Sequence, residues 1–524
     1  MDAGQVTSSE LWAVPTDKLD DWIAKVLLPS PDFTRQVKET VNQICEFLKN
    51  TCFGTNIRVL KTVKGGSSGK GTALRNNSDA DVVLFLNCFS SYEDQKKDRI
   101  HILDFIKKRL HACRDSLTFT VNIDKPRYKG PHNMPRSLSL TLTSRRTQES
   151  IEVDIEESIE VDILPAYDAL GQVIWGNPPD VKVYEKLLNT RCDPGEFSPC
   201  FTELQKNFVK RHPAKLKNLL RLVKHWYKEM LKPQYPSADL PPKYALELLT
   251  IYAWQEGAGS RECFDMSEGF RTVLELLRRP REICVYWETN YSLQDSQIGA
   301  HVKSLLRRPR PVILDPADPT GILGQGKNWD LVARAATDHL SLPCVRSAKP
   351  WDVQPARLVE IEVKQLTGTS LVRTLSPSTT IQRLKEEIEQ VWGIPWYRQR
   401  LKQRDPSGDA PILQNDETLA AHGIFYSTVL IVVQTESQEM EVFVKNDKGR
   451  STTYMVRPSD TVRQLKERIH SQQGPPADQQ NLMYESEIMK DQHTLAHYKV
   501  QPRSTIYMLL RLRGGRRPLK PPVP

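Results

Sequence analysis

Apolar residues recur at three- and four-residue spacing in LDDWIAKVLL and VKETVNQICEFLKN, so the pattern from Val6 to Cys52 predicts helices. The β-branched run IRVLKTV predicts a strand, the glycine-rich KGGSSGKGT a loop, and DADVVLFLNCF a second strand. SLSLTLT alternates as a strand with one wet face does. It leads into a segment that repeats itself: ESIEVDIE is followed at once by ESIEVDIL, so Asp154 and Asp162 occupy the same place in adjacent eight-residue copies. From about Tyr184 to Trp287 the patterns are mainly helical. Within them, Leu216, Leu219, Leu220, Val223, Trp226 and Tyr227 recur at helical spacing and predict an amphipathic helix over Gln205 to Lys232. Near Trp351 the character changes, and QPARLVEIEVKQL opens a run of alternating strands, which marks a domain boundary.

Composition narrows the class. A chain of 524 residues exceeds what one core can organise, so three or four domains are expected. No run approaches the roughly 18 apolar residues of a membrane span, and the opening MDAGQVTSSE has neither a basic nor an apolar signal region. A cytoplasmic protein without a membrane partner is the expectation, with the nucleus as a further location. Nine cysteines spread from Cys45 to Cys344 without a CxxC pair, which argues against a disulfide framework and a zinc ribbon. The net charge of +9 is moderate, but Gln205 to Lys232 holds nine Lys or Arg against one Glu. Such a face is either a solvated helix surface or a stripe that binds nucleic-acid phosphates.

The loop before DADVVLFLNCF is not a Walker A motif, because Lys70 is followed by Gly71 rather than Ser or Thr. The DAD itself is more informative. Asp79 and Asp81, two apart on a strand, project from one face, and paired carboxylates with hard oxygen ligands suit magnesium. A third carboxylate from a neighbouring strand would complete a two-metal site. Gly66 and Ser67 upstream can approach a triphosphate through backbone and hydroxyl.

This order of glycine-serine, gap and DxD is similar to the nucleotidyltransferase superfamily. The stretches KGGSSGKGTALRNNSDADVVLFL, VDILPAYDAL, FTELQKNFVKRHPAKLKNLLRLVKHWY, KYALELLTIYAWQEG and RPVILDPADPTG together resemble the 2'-5'-oligoadenylate synthetases. The resemblance implies a cytosolic antiviral enzyme of the interferon response and innate immunity. On binding double-stranded RNA, such an enzyme polymerises ATP into 2'-5'-linked oligoadenylates that activate RNase L. It implies two Mg2+ ions as cofactor, held by Asp79, Asp81 and a third carboxylate immediately before LPAYDAL, which is Asp162, with Asp154 as its duplicate. It also implies Gly66, Ser67, Lys224, Lys243 and Tyr244 around ATP, and Lys64, Lys70, Lys206, Lys210 and Lys215 facing RNA. Lys243 stands where the family usually has Gln, and either alters nucleotide choice or adds a phosphate contact. Cys344-Val345-Arg346 lacks the aromatic of oligomerising members, so a monomer is expected.

An eight-residue shift keeps the same face pattern, so either copy of the repeat is compatible with the sheet. A continuous strand through both would be roughly 50 Å long, about three times the usual length, so the first copy is expected to loop out and Asp162 to reach the metals. The alternative is a duplication absent from the true transcript.

From Met440 the chain resembles ubiquitin up to 510-LRLRGG-515, and Arg357 to Gln434 is a weaker version of the same pattern. The tandem resembles the synthetase-like branch with two ubiquitin-like domains. Nine residues follow Gly514-Gly515, as in a ubiquitin precursor. A docking domain that meets a signalling protein, with a terminus that merely retains ancestry, is favoured over a cleaved modifier. Glu487 stands at the position of ubiquitin's main chain-forming lysine and Asp447 at an apolar recognition position, while Met483 and Leu509 stay apolar, so partners that grip ubiquitin through that surface are expected to bind weakly or to differ. The fold expected is a bilobal α/β nucleotidyltransferase with a helical C-terminal lobe, followed by two β-grasp α+β domains. The boundaries are an N-lobe over 1–172, a C-lobe over 173–350, ubiquitin-like domains over 357–435 and 438–515, and a basic, proline-rich tail over 516–524. The functional alternative to an RNA-activated synthetase is an RNA-binding adaptor whose catalysis has lapsed.

Overall fold

The helix α1, Pro31–Asn50, begins where Ser30 accepts the Phe33 N–H at 3.1 Å and proline takes the first turn. Its apolar face, with Phe33, Val37, Val41, Ile44 and Leu48 all buried, packs over the first sheet. The computed structural model describes residues 11–75, 77–113, 119–123, 128–129, 134–144, 158–404 and 410–510. Asp154, Gly514, Gly515 and the tail lie outside them.

The sheet holds β1 (Val59–Lys64), β2 (Asn77–Leu86), β3 (Phe119–Ile123), β4 (Leu138–Ser144) and β5 (Ser158–Ala166) in the order β1-β2-β5-β4-β3. β2 and β5 are parallel, and the other pairings are antiparallel. The core of this layer is Val82, Leu84, Leu140, Val161 and Ile163. β5 is the second copy of the repeat. The upstream strand β4 pairs with it from Leu138↔Ile163 to Thr143↔Ser158, so downstream anchoring prevails over proximity in sequence. The expected glycine-rich loop is partly helical: α2, Gly66–Lys70, is a single turn closed by Gly71 in the left-handed region.

The helices of the second lobe bury one large cluster that includes Leu216, Leu219, Val223, Trp226, Leu249 and Phe270. The single helix expected over Gln205–Lys232 is three pieces: α3 (Thr202–Lys210), α4 (Ala214–His225) and a π-helical turn, Trp226–Leu231. The break falls at Pro213, whose ring excludes the residue before it from helical geometry. Beyond it lie α5 (Lys243–Gly257), α6 (Met266–Leu277), β6 (Cys284–Val285), α7 (Ser296–Leu306), β7 (Val312–Ile313) and α8 (Trp329–His339). No helix of the described residues is long and apolar enough to cross a membrane.

The chain divides into two compact units at Leu358–Val359. The second unit holds two β-grasp sheets. In each, the first and last strands are parallel neighbours: β8 (Val359–Gln365) with β9 (Thr428–Gln434), and β10 (Met440–Asn446) with β11 (Thr505–Leu510). A helix packs across each sheet, α9 (Ile381–Trp392) and α10 (Val462–Ser471). A buried glutamine braces each helix in the same way: Gln399 Nε2 donates to Lys385 and Ile394 carbonyls, and Gln480 Nε2 to Lys466 and Pro475 carbonyls.

Candidate active site

Asp79 and Asp81 share one face of β2, because side chains alternate along a strand. The parallel register sets Asp79 beside Glu160 and Asp81 beside Asp162, so β2 and β5 carry four carboxylates two by two. Asp162 Oδ1 accepts from the Ser139 hydroxyl on the next strand. Ser67, at the start of α2, binds Asp79 through its hydroxyl at 2.5 Å and its N–H at 3.3 Å. Gly66 makes that approach feasible: its φ is +66°, and a Cβ there would lie 2.6 Å from the Asp79 carbonyl oxygen.

From the facing lobe, the Lys224 ammonium on α4 reaches Asp79 Oδ1 at 2.6 Å. Burial alone would push the Asp79 carboxyl up, but the Lys224 and Lys243 charges and the bonds from Lys224 and Ser67 hold it well below the usual carboxylate range. Lys228 lies nearby; burial and the like charges of Lys243 and Lys224 lower it, with Glu160 opposing. A cleft of about 460 Å³ opens between the sheet and these helices.

Gly66, Ser67, Asp79, Asp81, Asp162, Lys224, Lys243 and Tyr244 all line that cleft. Of the lysines expected to face RNA, Lys70 departs from expectation. Its ammonium turns inward to Glu247 Oε2 at 2.6 Å and sits 4.2 Å above the Tyr244 ring. Burial opposes its charge, but Glu247 and then Asp81 and Asp79 outweigh it and raise its pKa. Lys206 is half-buried at the cleft, Lys64 bonds Asn42, Lys210 is exposed, and Lys215 pairs with Asp20 at 3.3 Å.

The Lys70 ammonium also covers one face of the Tyr244 ring. Its hydroxyl donates to Asp315 Oδ1 at 3.2 Å, and Gln205 Nε2 donates to Oδ2 at 2.6 Å. Burial first, and the Asp318 charge second, push the Asp315 carboxyl up to about 7. Sequence reasoning assigned no role to Glu160, Glu247 or Asp315. Glu160 was accessible to it, since the two-residue spacing in ExD carries the same meaning as in DAD.

Magnesium takes hard oxygen donors. Among the described residues no three acidic, His or Cys side chains stand as a ready metal cage. Asp79 spends one oxygen on the Lys224 ammonium. The set still fits: hard oxygens from two adjacent strands share one face of the sheet, and Lys224 is a side chain that can exchange partners.

Residues 44–137 match the nucleotidyltransferase domain family, and residues 177–358 match 2'-5'-oligoadenylate synthetase 1, domain 2, C-terminus. Residues 358–439 match the ubiquitin-like domain, and 442–513 the ubiquitin family. The chain is 40% identical over 510 residues to 2'-5'-oligoadenylate synthase-like protein 2 of Mus musculus, covering 95% of this chain and 98% of the relative. It is 37% identical over 512 residues to 2'-5'-oligoadenylate synthase-like protein 1 of Mus musculus, covering 96% and 97%. It is 47% identical over 357 residues to 2'-5'-oligoadenylate synthase 3 of Mus musculus, covering 67% of this chain and 30% of the relative.

Proposed function

We propose that this chain, which belongs to the family of 2'-5'-oligoadenylate synthase-like proteins, is a working synthase activated by double-stranded RNA. It joins ATP through 2'-5' phosphodiester bonds and releases pyrophosphate. The observation that carries this reading is the register of β2 and β5, which sets Asp81 beside Asp162 on the face that bears Asp79.

In the reaction an acceptor 2'-hydroxyl loses its proton and attacks the donor α-phosphorus, while the bond to pyrophosphate breaks. Asp79, Asp81 and Asp162 are the residues that would hold two Mg2+ ions. When bound, those ions supply positive charge for the phosphates and ease ionisation of the attacking hydroxyl. Lys224, Lys228 and Lys243 face the carboxylates, where ammoniums neutralise a triphosphate. The triphosphate offers Lys224 a partner in exchange for Asp79. The Ser67 hydroxyl and N–H hold Asp79 in place at the start of the short helix. Glu247 and Asp315 fix Lys70 and Tyr244 in the cleft wall.

RNA contact falls to Lys64, Lys206, Lys210 and Lys215, whose contacts to phosphate and sugar read duplex shape rather than sequence. The oligoadenylates activate RNase L in antiviral defence, and the ubiquitin-like pair docks a signalling protein, in a cytoplasmic monomer.

A second reading, an RNA-binding adaptor without catalysis, is favoured by one observation: Asp79 is already neutralised by Lys224. Pyrophosphate release from ATP separates the two. The synthase releases pyrophosphate only with double-stranded RNA present, and Asp81→Ala lowers the rate at least about a hundredfold with RNA affinity unchanged. Equal, background-level release by the natural chain and Asp81→Ala would establish the adaptor.

A further inference from the structure

Two helices of the second lobe end in the same six residues. LLRRPR occurs at 276–281 and again at 305–310. The first copy closes α6 and turns through Pro280–Glu282 into β6, and the second closes α7 and turns into β7. β6 and β7 pair in parallel, Cys284 with Val312 and Val285 with Ile313. Parallel pairing enters both strands from the same end, so the two arginine turns come together there.

A cavity of about 780 Å³ opens at that end. Arg278, Arg279 and Arg281 line it from the first turn, Arg310 from the second, and Lys327 from the loop before α8. Among the described residues, only Glu282 and Asp330 oppose these five cations in its wall. Some of the cations have partners: Arg278 meets Glu275 at 2.7 Å, Arg279 meets Glu282 at 3.7 Å, and Lys327 meets Asp239 at 2.7 Å. Arg310 donates to the Leu306 carbonyl at 2.8 Å, which holds its guanidinium against the end of α7. The pairing is incomplete, however. Arg279 Nε is buried with no hydrogen-bond partner among the described residues, and Arg281 stands exposed at the rim.

A buried guanidinium N–H without an acceptor is unfavourable, as is a ring of like charges around a cavity. An anion in the cavity relieves the second, through the guanidinium groups that line it. Guanidinium forks match phosphate oxygens in pairs, and several cations in a row suit linked phosphates better than one carboxylate. None of the cavity's lining residues belongs to the catalytic cleft.

We propose that the two LLRRPR turns form a second phosphate-binding site, separate from the cleft, that takes a run of linked phosphates. The run comes either from a free polyphosphate, such as the triphosphate end of a nucleotide or oligonucleotide, or from successive phosphates of an RNA backbone. The test uses the full chain and two probes: inorganic tripolyphosphate by calorimetry, and a long RNA duplex by anisotropy across a salt series. Arg281→Glu alters an exposed residue, and Arg279→Lys keeps the charge while removing Nε; Lys224→Ala disables phosphate contact in the cleft independently.

For a free polyphosphate, both arginine variants weaken at least about tenfold the tripolyphosphate binding that Lys224→Ala spares. For an RNA backbone, tripolyphosphate binding is unchanged, but Arg281→Glu lowers the slope of log K against log salt by about 1. If neither tripolyphosphate binding nor the salt slope moves in either variant, the site is refuted. Failure of the cleft assignment would show separately in the number of binding events: the natural chain loses one tripolyphosphate site in Lys224→Ala if the cleft binds phosphate, and loses none if it does not.

Discussion

At the fifth position of each β-grasp helix sits a buried lysine, and the two differ in their partner. Lys466 Nζ meets the Asp491 carboxylate at 2.6 Å, whereas Lys385 Nζ meets the neutral Asn415 Oδ1 at 2.6 Å. Burial first, and the Arg400 charge second, lower Lys385 to about 8. A lysine that binds its proton more weakly when folded lowers stability below its folded pKa, and that loss fades as pH rises from about 8 towards the unfolded value near 10.5. The difference corresponds to the order of 3 kcal/mol at neutral pH. Asn415→Asp should therefore stabilise the first ubiquitin-like domain by about 1–3 kcal/mol at pH 7 and abolish the rise of stability between pH 8 and 10. Hydrogen-exchange protection of α9 in the full chain reports it, and protection that is unchanged or reduced at pH 7 would contradict it. Other residues separate by distance along the chain. Asp79, Asp81 and Ser67 were legible because short spacing sets their geometry. Glu247 reaches Lys70 across 177 positions and Asp315 reaches Tyr244 across 71, and no local pattern announces such pairs.

Among the elements, the one-turn helix α2 has the least room for change. The glycine-rich stretch predicted backbone close to a ligand but not a helical turn, since Gly and Ser have weak helix propensity. What holds the turn is tertiary: Arg221 donates to the Gly71 and Ala73 carbonyls at 2.7 and 2.9 Å. Gly66→Ala places a Cβ against the Asp79 carbonyl and requires φ of +66° from an L residue, so the turn must shift away from β2. Synthase activity should fall at least about tenfold, with RNA affinity within about twofold of the natural chain. Parallel loss of RNA affinity would mean that the turn shapes the RNA face instead. The strands were legible from alternation, and the entry of the second copy into the sheet from its LPAYDAL neighbour; its residue-by-residue register with β4 was not, because both copies offer the same face to a neighbour. The helix break at Pro213 was legible and outweighed by the apolar periodicity on either side.

On the scale of the molecule, all residues assigned to the cleft belong to the first unit, and the second unit is two copies of one fold. The sequence pattern showed this division because the helical period of one part gives way to alternation in the other. The central claim is that a chain with a duplicated strand still presents one working set of three carboxylates. It rests on Asp162 beside Asp81. The most direct measurement incubates the full chain with ATP, magnesium and long double-stranded RNA, then resolves products after digestion by a nuclease that spares 2'-5' linkages. Resistant oligomers from the natural chain and from Asp154→Ala, and none from Asp162→Ala, are the predicted result. Product that survives Asp162→Ala, or vanishes in Asp154→Ala, would contradict the account.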